Sequence, residues 1–490
     1  MVHVNLPLRA GLALAPSVAT GEPAHRLHRP ALSAWPEGNR VAAPAWIEMA
    51  KAWVRDCLPA LNSSACSGRT TSDEVIRLVN GLLRGAPPPR EFADRQAMQA
   101  LMILGVCGSS VERHAQQSQR RAGEPAIPGR GIEKLIAAGR RPFLEYVGEL
   151  ADRFGHMHRD SFVTFIERNG PAVRVLHPKT RRPFHALPAG FDDGAYLTFT
   201  GRAEEIELIR LLKEAAALQG AANLFLVRLQ DAATAVDNAA AVSDCFDAAV
   251  LLLAVRAKIV ELLGASSSNA DLLDVLRQYA CDWRDHAPLL RPPSGANDGG
   301  FLHRDMLLFS ELLPPSGPVP GYRTYVRHTV LPALMPEVVA RIEAAMSSDS
   351  IEARLYCRLG TTRDVLGRIG GRSCDALLDA NPWLAAYVLV YAAQRALSRA
   401  HYEAASRFLL EPARAQDARN SVVPSTHGNG QMDLLHLVRQ LDAARAAHPL
   451  ATLGAQIGAG GRLDAILRDL GHRRRSHAEL LSLCPRAGEV

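Results

Sequence analysis

The chain has 490 residues, 48% hydrophobic and 22% charged, enough to bury a large core and to form two or three structural units. Lys plus Arg number 56 against 50 Asp plus Glu, a formal charge of +6 spread without a basic block, so no nucleic-acid partner is indicated. The 8 cysteines never form a CxxC pair and no uncharged apolar run is long enough to span a bilayer; this argues against a zinc knuckle, a disulfide framework and a membrane protein, and suits a reducing cytoplasm.

Residues 1–42 are rich in Pro, Ala and Gly without periodicity and read as a loosely ordered leader. An N-terminal helical cap with its loops is expected over 43–195. Two short amphipathic helices, 44–58 and 71–83, flank a polar turn at 62–69, and a strongly apolar helix follows over 93–114. In it Gly105, Gly108, Ser109 and Ser110 admit the close approach of a ligand or of another backbone, and a core helix crossing explains them equally well. The glycine-rich PGRG at 128–131 is too short for a phosphate loop, and a helix is expected over 132–154. His156 and His158 form an H-x-H pair with no third metal ligand at a recognisable spacing. The stretch 174–200 is turn-rich and holds at most a short hairpin.

A helical bundle is expected over 196–450. Helices 202–228 and 232–263 carry Ala-rich and Leu-rich stripes and should pack antiparallel. A Pro/Gly-rich loop then leads to Gly299, Gly300, Phe301 and His303; the plain reading of His303 is a solvated histidine at a helix start. A helix over 321–346 should bend at Pro332 and Pro336, and its Arg323 and Arg327 are either a carboxylate clamp or a solvated arginine face. Helix 350–368 comes next. The following helix, 381–411, begins at Asn381 as cap with Pro382 in the first turn and stops before Pro412. Tyr387, Val390, Gln394, Leu397 and His401 recur on one face, beside Ala400, Ala404 and Ala405, whose small side chains leave a surface on which a large flat group could lie. From the helix alone, His401 reads as a core histidine. After a polar insertion at 413–424, His427, Gly428, Asn429 and Gly430 precede another helix, where free N–H groups suit a carboxylate; a simple helix-start turn is the alternative. Short helices near 463–471 and 477–484 end a C-terminal segment, 451–490.

The run SRAHYEAASRFL at 398–409, with the glycine loop at 427–431, resembles the ligand helix and substrate loop of the pyrrolnitrin-type ring-rearranging haem enzymes, the monodechloroaminopyrrolnitrin synthase-like family of the tryptophan/indoleamine dioxygenase superfamily. The similarity extends through YLTFTGRAEEIELIRLL at 196–212 and the 299–303 and 321–346 segments, covering roughly residues 92–449. The resemblance implies an all-α, multi-helix bundle of the indoleamine-dioxygenase type enclosing a haem pocket. It implies haem b as cofactor with His401 as the iron ligand, an aromatic amino acid and dioxygen as partners, and Gly428, Asn429 and Gly430 as the substrate loop. Asn429 stands where the relatives have Ser or Thr, and Thr164 where the family has a distal histidine. The implied activity is a haem-dependent oxygenase or oxidative ring rearrangement of a tryptophan-like substrate in secondary metabolism. Two other readings are a non-catalytic helical haem protein and a helical interaction scaffold without haem. No nucleophile elbow, P-loop, dinucleotide fingerprint or HExxH motif is present.

Overall fold

Helix α1, Ala43–Asp56, buries Trp46, Ile47, Ala50, Trp53 and Val54. The polar stretch at 62–69 is a turn only in its second half: Pro59, in a first helical turn where its missing N–H is harmless, starts α2, Leu58–Cys66. Thr71 caps α3, Ser72–Arg84, its side chain accepting from the Glu74 N–H at 3.2 Å. Helix α4 runs over Asp94–Arg121, beyond the expected 114, because the Ala, Gln and Arg residues that follow favour helix. The computed structural model describes residues 41–231, 233–264, 276, 278–283, 298–316, 321–368, 371–407, 434–459 and 481–484, all within one compact unit from Pro36 onward.

The small residues of α4 let non-helical segments of the chain approach it closely. A Cβ on Gly105 would stand 2.8 Å from Asp160 Cβ, and one on Gly108 2.5 Å from two ring carbons of Trp283. Gly108→Ala should therefore destabilise the fold by about 1–3 kcal/mol and shift the Trp emission, as read in urea unfolding. The PGRG loop wraps around α4 as well. Its Gly129 N–H donates to Glu112 Oε1 at 2.8 Å, and the N–H groups of Gly131 and Ile132 donate to Oε2 at 2.9 and 3.1 Å. The loop thus does hold an anion, the chain's own carboxylate. Glu112→Gln puts an amide N–H among those donors, and an unfolding free energy lower by about 2 kcal/mol is expected in a urea titration.

The helix expected over 132–154 is interrupted. Gly139 takes φ +73° and Pro142 cannot donate, so a two-stranded antiparallel pair forms, β1 Ile136–Ala137 with β2 Arg141–Pro142, and only Phe143–Asp152 is helical, as α5. A π-helical turn spans Val163–Glu167. The hairpin expected in the turn-rich stretch is present as β3, Ala172–Leu176, and β4, Pro183–Leu187. The other edge of β3 pairs with a strand from the far end of the chain, β5, Leu481–Cys484. Those residues were expected in a helix; their Leu-Ser-Leu alternation instead has the period of a strand.

Helices α6, Ala203–Gln230, and α7, Ala239–Gly264, pack along each other, with Arg228–Asp244 and Lys258–Glu214 ion pairs at 2.7 and 2.8 Å setting an antiparallel register. Helix α7 starts later than expected because Asn238 Oδ1 accepts from the Ala240 N–H and closes the preceding turn. Asp298 caps α8, Gly299–Leu308. The 321–346 helix is broken rather than bent: a turn at Tyr322–Tyr325 and a π turn at Val326–Val330 precede α9, Pro336–Ser347, with Pro332 and Pro336 each opening a new piece. Gly360, at φ +59°, likewise ends α10, Ile351–Leu359, before a separate turn at Arg363–Gly367. Helix α11 is Gly371–Ala380 and α12 is Leu384–Ala405. Asn381 does not cap α12; its Nδ2 donates to the Leu377 carbonyl and finishes α11. Helices α13, Leu434–Ala446, and α14, Pro449–Ala459, pack against α12, which also lies along α7. The fold is predominantly helical, as expected, with two small sheets among the described residues. No described helix is long and apolar enough to cross a membrane.

Candidate functional site

Helix α12 meets α8 along the face that carries His401. Near the end of α8, the Tyr391 hydroxyl donates to the Leu308 carbonyl at 2.8 Å. Farther along, Arg445 of α13 bridges Asp305 of α8 and Ser398 of α12. At the start of α8, the Phe301 ring lies 5.9 Å from the His401 ring, tilted by 35°. Residues 308, 305 and 301 thus meet 391, 398 and 401, so the two helices run in opposite directions.

Between them lies a buried charged cluster. Arg304 donates through Nη2 to Asp305 Oδ1 at 3.0 Å and through Nη1 to Gln219 Oε1 of α6 at 3.0 Å. The other Asp305 oxygen accepts from Arg445 and, at 3.1 Å, from the Tyr322 hydroxyl. Arg445 Nη1 donates to Ser398 Oγ at 3.1 Å. Arg304 and Asp305 are each 2% exposed and Arg445 8%. Two guanidinium groups therefore share one carboxylate. Burial alone would raise the Asp305 pKa, but Arg445 and Arg304 hold it below the ordinary carboxylate value. The guanidinium of Arg304 also lies over the Phe301 ring, 4.6 Å from its centroid, so Phe301 stands between a cation and His401.

His401 is half-buried by surface area. Burial, with Arg445 and Arg304 nearby, pushes its pKa down to about 4, so the imidazole is neutral at physiological pH. Among the described residues no group hydrogen-bonds either ring nitrogen. Three buried imidazoles of the fold do have partners: His448 is paired with Glu352, His114 with Asn62 and His156 with Ser161. A neutral imidazole with free nitrogens on a helix lined by Ala400, Ala404 and Ala405 is the donor that a haem iron takes, so the residues present fit this group. The arginine cluster is enclosed by protein, and the fit rests on His401.

The glycine loop, with Gly428, Asn429 and Gly430, lies outside the described residues. Thr164 is buried inside the π turn and turned onto its own loop: its Oγ1 accepts from the Ser161 N–H at 2.8 Å. The H-x-H pair is split. His156 faces the Met157 carbonyl and Ser161, while His158 Nε2 meets Asp152 at 2.7 Å. Among the described residues no three His, Cys, Asp or Glu side chains are grouped to hold a metal ion. Arg323 is half-buried and turned inward; its guanidinium donates to the carbonyls of Met346, Met306 and Phe309 at 3.3–3.4 Å and ties α8 to α9, while Arg327 is exposed. His303 is buried, not solvated, and burial followed by Arg341 lowers its pKa to about 4.

The Arg304–Asp305–Arg445 cluster was missed from sequence, although one signal was there. In FLHRDMLLF at 301–309 an adjacent Arg–Asp pair interrupts an otherwise apolar helix, which marks paired burial. Scanned against known proteins, the chain matches no protein-family model and no curated protein.

Proposed function

We propose that the chain is a haem-dependent oxidoreductase, oxygenase-like, that acts with dioxygen on a tryptophan-like or other aromatic amino acid. The observation that carries this reading is His401: a neutral, half-buried imidazole whose nitrogens have no partner among the described residues, on the very helix that resembles a haem-ligand helix. Haem b, held through His401, supplies the one-electron and dioxygen chemistry. The protein's residues do the rest. Burial and the two neighbouring guanidinium groups keep the His401 ring deprotonated, so that a nitrogen lone pair is available without displacing a proton. Phe301, packed between Arg304 and His401, fixes the plane of the imidazole. The glycine loop at 428–430 receives the amino-acid end of the substrate.

The test is a haem titration of the full-length chain followed by oxygen-electrode assays with a panel of aromatic amino acids. A one-to-one Soret band and substrate-dependent oxygen uptake support the enzyme. Stoichiometric haem without uptake leaves a haem-binding protein, and no haem at all returns His401 to the helical core and the chain to a scaffold.

A further inference from the structure

A histidine that holds a metal usually has its second ring nitrogen fixed by a carboxylate, a backbone carbonyl or a water, and that bond sets the plane of the ring. His401 has no such partner among the described residues, yet it is tied along two routes to one carboxylate. On one route, Asp305 Oδ1 accepts from Arg304 Nη2 at 3.0 Å, the Arg304 guanidinium lies 4.6 Å from the centroid of the Phe301 ring, and that ring lies 5.9 Å from the imidazole. On the other, Asp305 Oδ2 accepts from Arg445, whose Nη1 donates to Ser398 Oγ at 3.1 Å. Ser398 stands one helical turn before His401 on the same side of α12. The first route therefore refers the imidazole, and the second the backbone that carries it, to the same group. Asp305 is itself held still: it is 2% exposed, and its Oδ2 also accepts from the Tyr322 hydroxyl at 3.1 Å.

The charges of the cluster are complete. The buried Asp298 carboxylate, which caps α8, interacts with Arg304 as well, so two guanidinium groups face two carboxylates. What the cluster supplies to the site is geometry. We infer that Asp305 is the positioning residue of His401, and that the chain from its carboxylate through Arg304 and Phe301 does for this imidazole what a hydrogen bond to the second nitrogen does in other metal sites. A ring held by stacking stays a neutral imidazole, because no acceptor draws on its second N–H. It therefore donates less electron density to a metal than a histidine bonded to a carboxylate. The consequence for haem rests on the function proposed above; the tie between Asp305 and the ring does not.

The test reads the ring directly. The full-length chain without haem is treated briefly with diethyl pyrocarbonate at pH 7, and carbethoxylation of His401 relative to the exposed His328 is followed by mass spectrometry. Asp305→Asn should raise that ratio at least threefold. Phe301→Leu and Ser398→Ala cut one route each and leave the ion pairs in place, so they answer even where Asp305→Asn does not fold; each should raise the ratio at least twofold. Gly108→Ala, which strains the fold at α4, should leave it unchanged. An unchanged ratio in any of the first three variants that folds, or an equal rise in Gly108→Ala, overturns the assignment. In the haem-loaded protein the same three variants should broaden the low-spin ferric electron paramagnetic resonance signal, through a spread of imidazole orientations. A chain that takes up no haem but shows the rise in carbethoxylation loses the proposed function and keeps Asp305 as the residue that sets His401. Haem uptake with an unchanged ratio overturns the positioning role alone.

Discussion

His401→Ala should remove the histidine-type Soret band from the haem-reconstituted protein, and added imidazole should restore much of it by filling the space left by the ring. The fold itself should lose little, about 1 kcal/mol or less, because the imidazole makes no hydrogen bond among the described residues and is only half-buried. This separation of effects makes the experiment decisive. A core histidine would produce the opposite pattern, a clear loss of stability and no spectral consequence. Absorption spectra with and without carbon monoxide, beside urea unfolding of the same two proteins, distinguish the cases. An unchanged Soret band in the alanine variant would remove His401 as ligand.

The second large effect concerns Asp305. Asp305→Asn leaves two buried guanidinium groups without their common carboxylate, and removing one member of a buried ionic group typically destabilises by about 3–5 kcal/mol. Urea unfolding at pH 7 should show a loss in that range; a change below about 1 kcal/mol would mean that the cluster is wet and weakly coupled. The pH dependence follows from the direction of the Asp305 shift. Its folded pKa lies below the unfolded value, so its contribution is fully present above the unfolded pKa of about 3.9 and is lost as pH falls through the folded pKa. The wild type should therefore lose this part of its stability only in strong acid, and the stability of Asp305→Asn should fall less steeply there.

Long helices were legible because their apolar residues recur over many turns. The face of α12 bearing Tyr387, Val390, Gln394, Leu397 and His401 could be read directly, and so could the antiparallel pairing of α6 and α7. Errors arose where one residue serves two masters. Asn381 has the chemistry of an N-cap, but it also lies one turn beyond Leu377, and the preceding helix claims its side chain. Pro142, Pro336 and Gly360 fall inside the expected helices 132–154, 321–346 and 350–368, whereas each separates two elements. Four residues of alternation at Leu481–Cys484 are too few to outweigh the helical tendency of their surroundings, and their partner β3 is remote in the chain. The candidate site was half legible for the same reason. His401 announces itself within one helix, but the charge balance beside it depends on Arg445, separated from Asp305 by 140 positions.

The pairing of β3 with β5 also orders events during synthesis. Residues 172–176 leave the ribosome early, while their partner at 481–484 follows only after every helix of the His401 site has been made. Until then β3 has β4 on one side and an open row of N–H and C=O groups on the other. A nascent chain therefore carries an unprotected sheet edge for most of its translation, and pairing at that edge is among the most non-local contacts of the fold. Stalled or prematurely ended chains that stop before Leu481 would display that edge permanently, and edge-to-edge association is the failure to which they are most exposed.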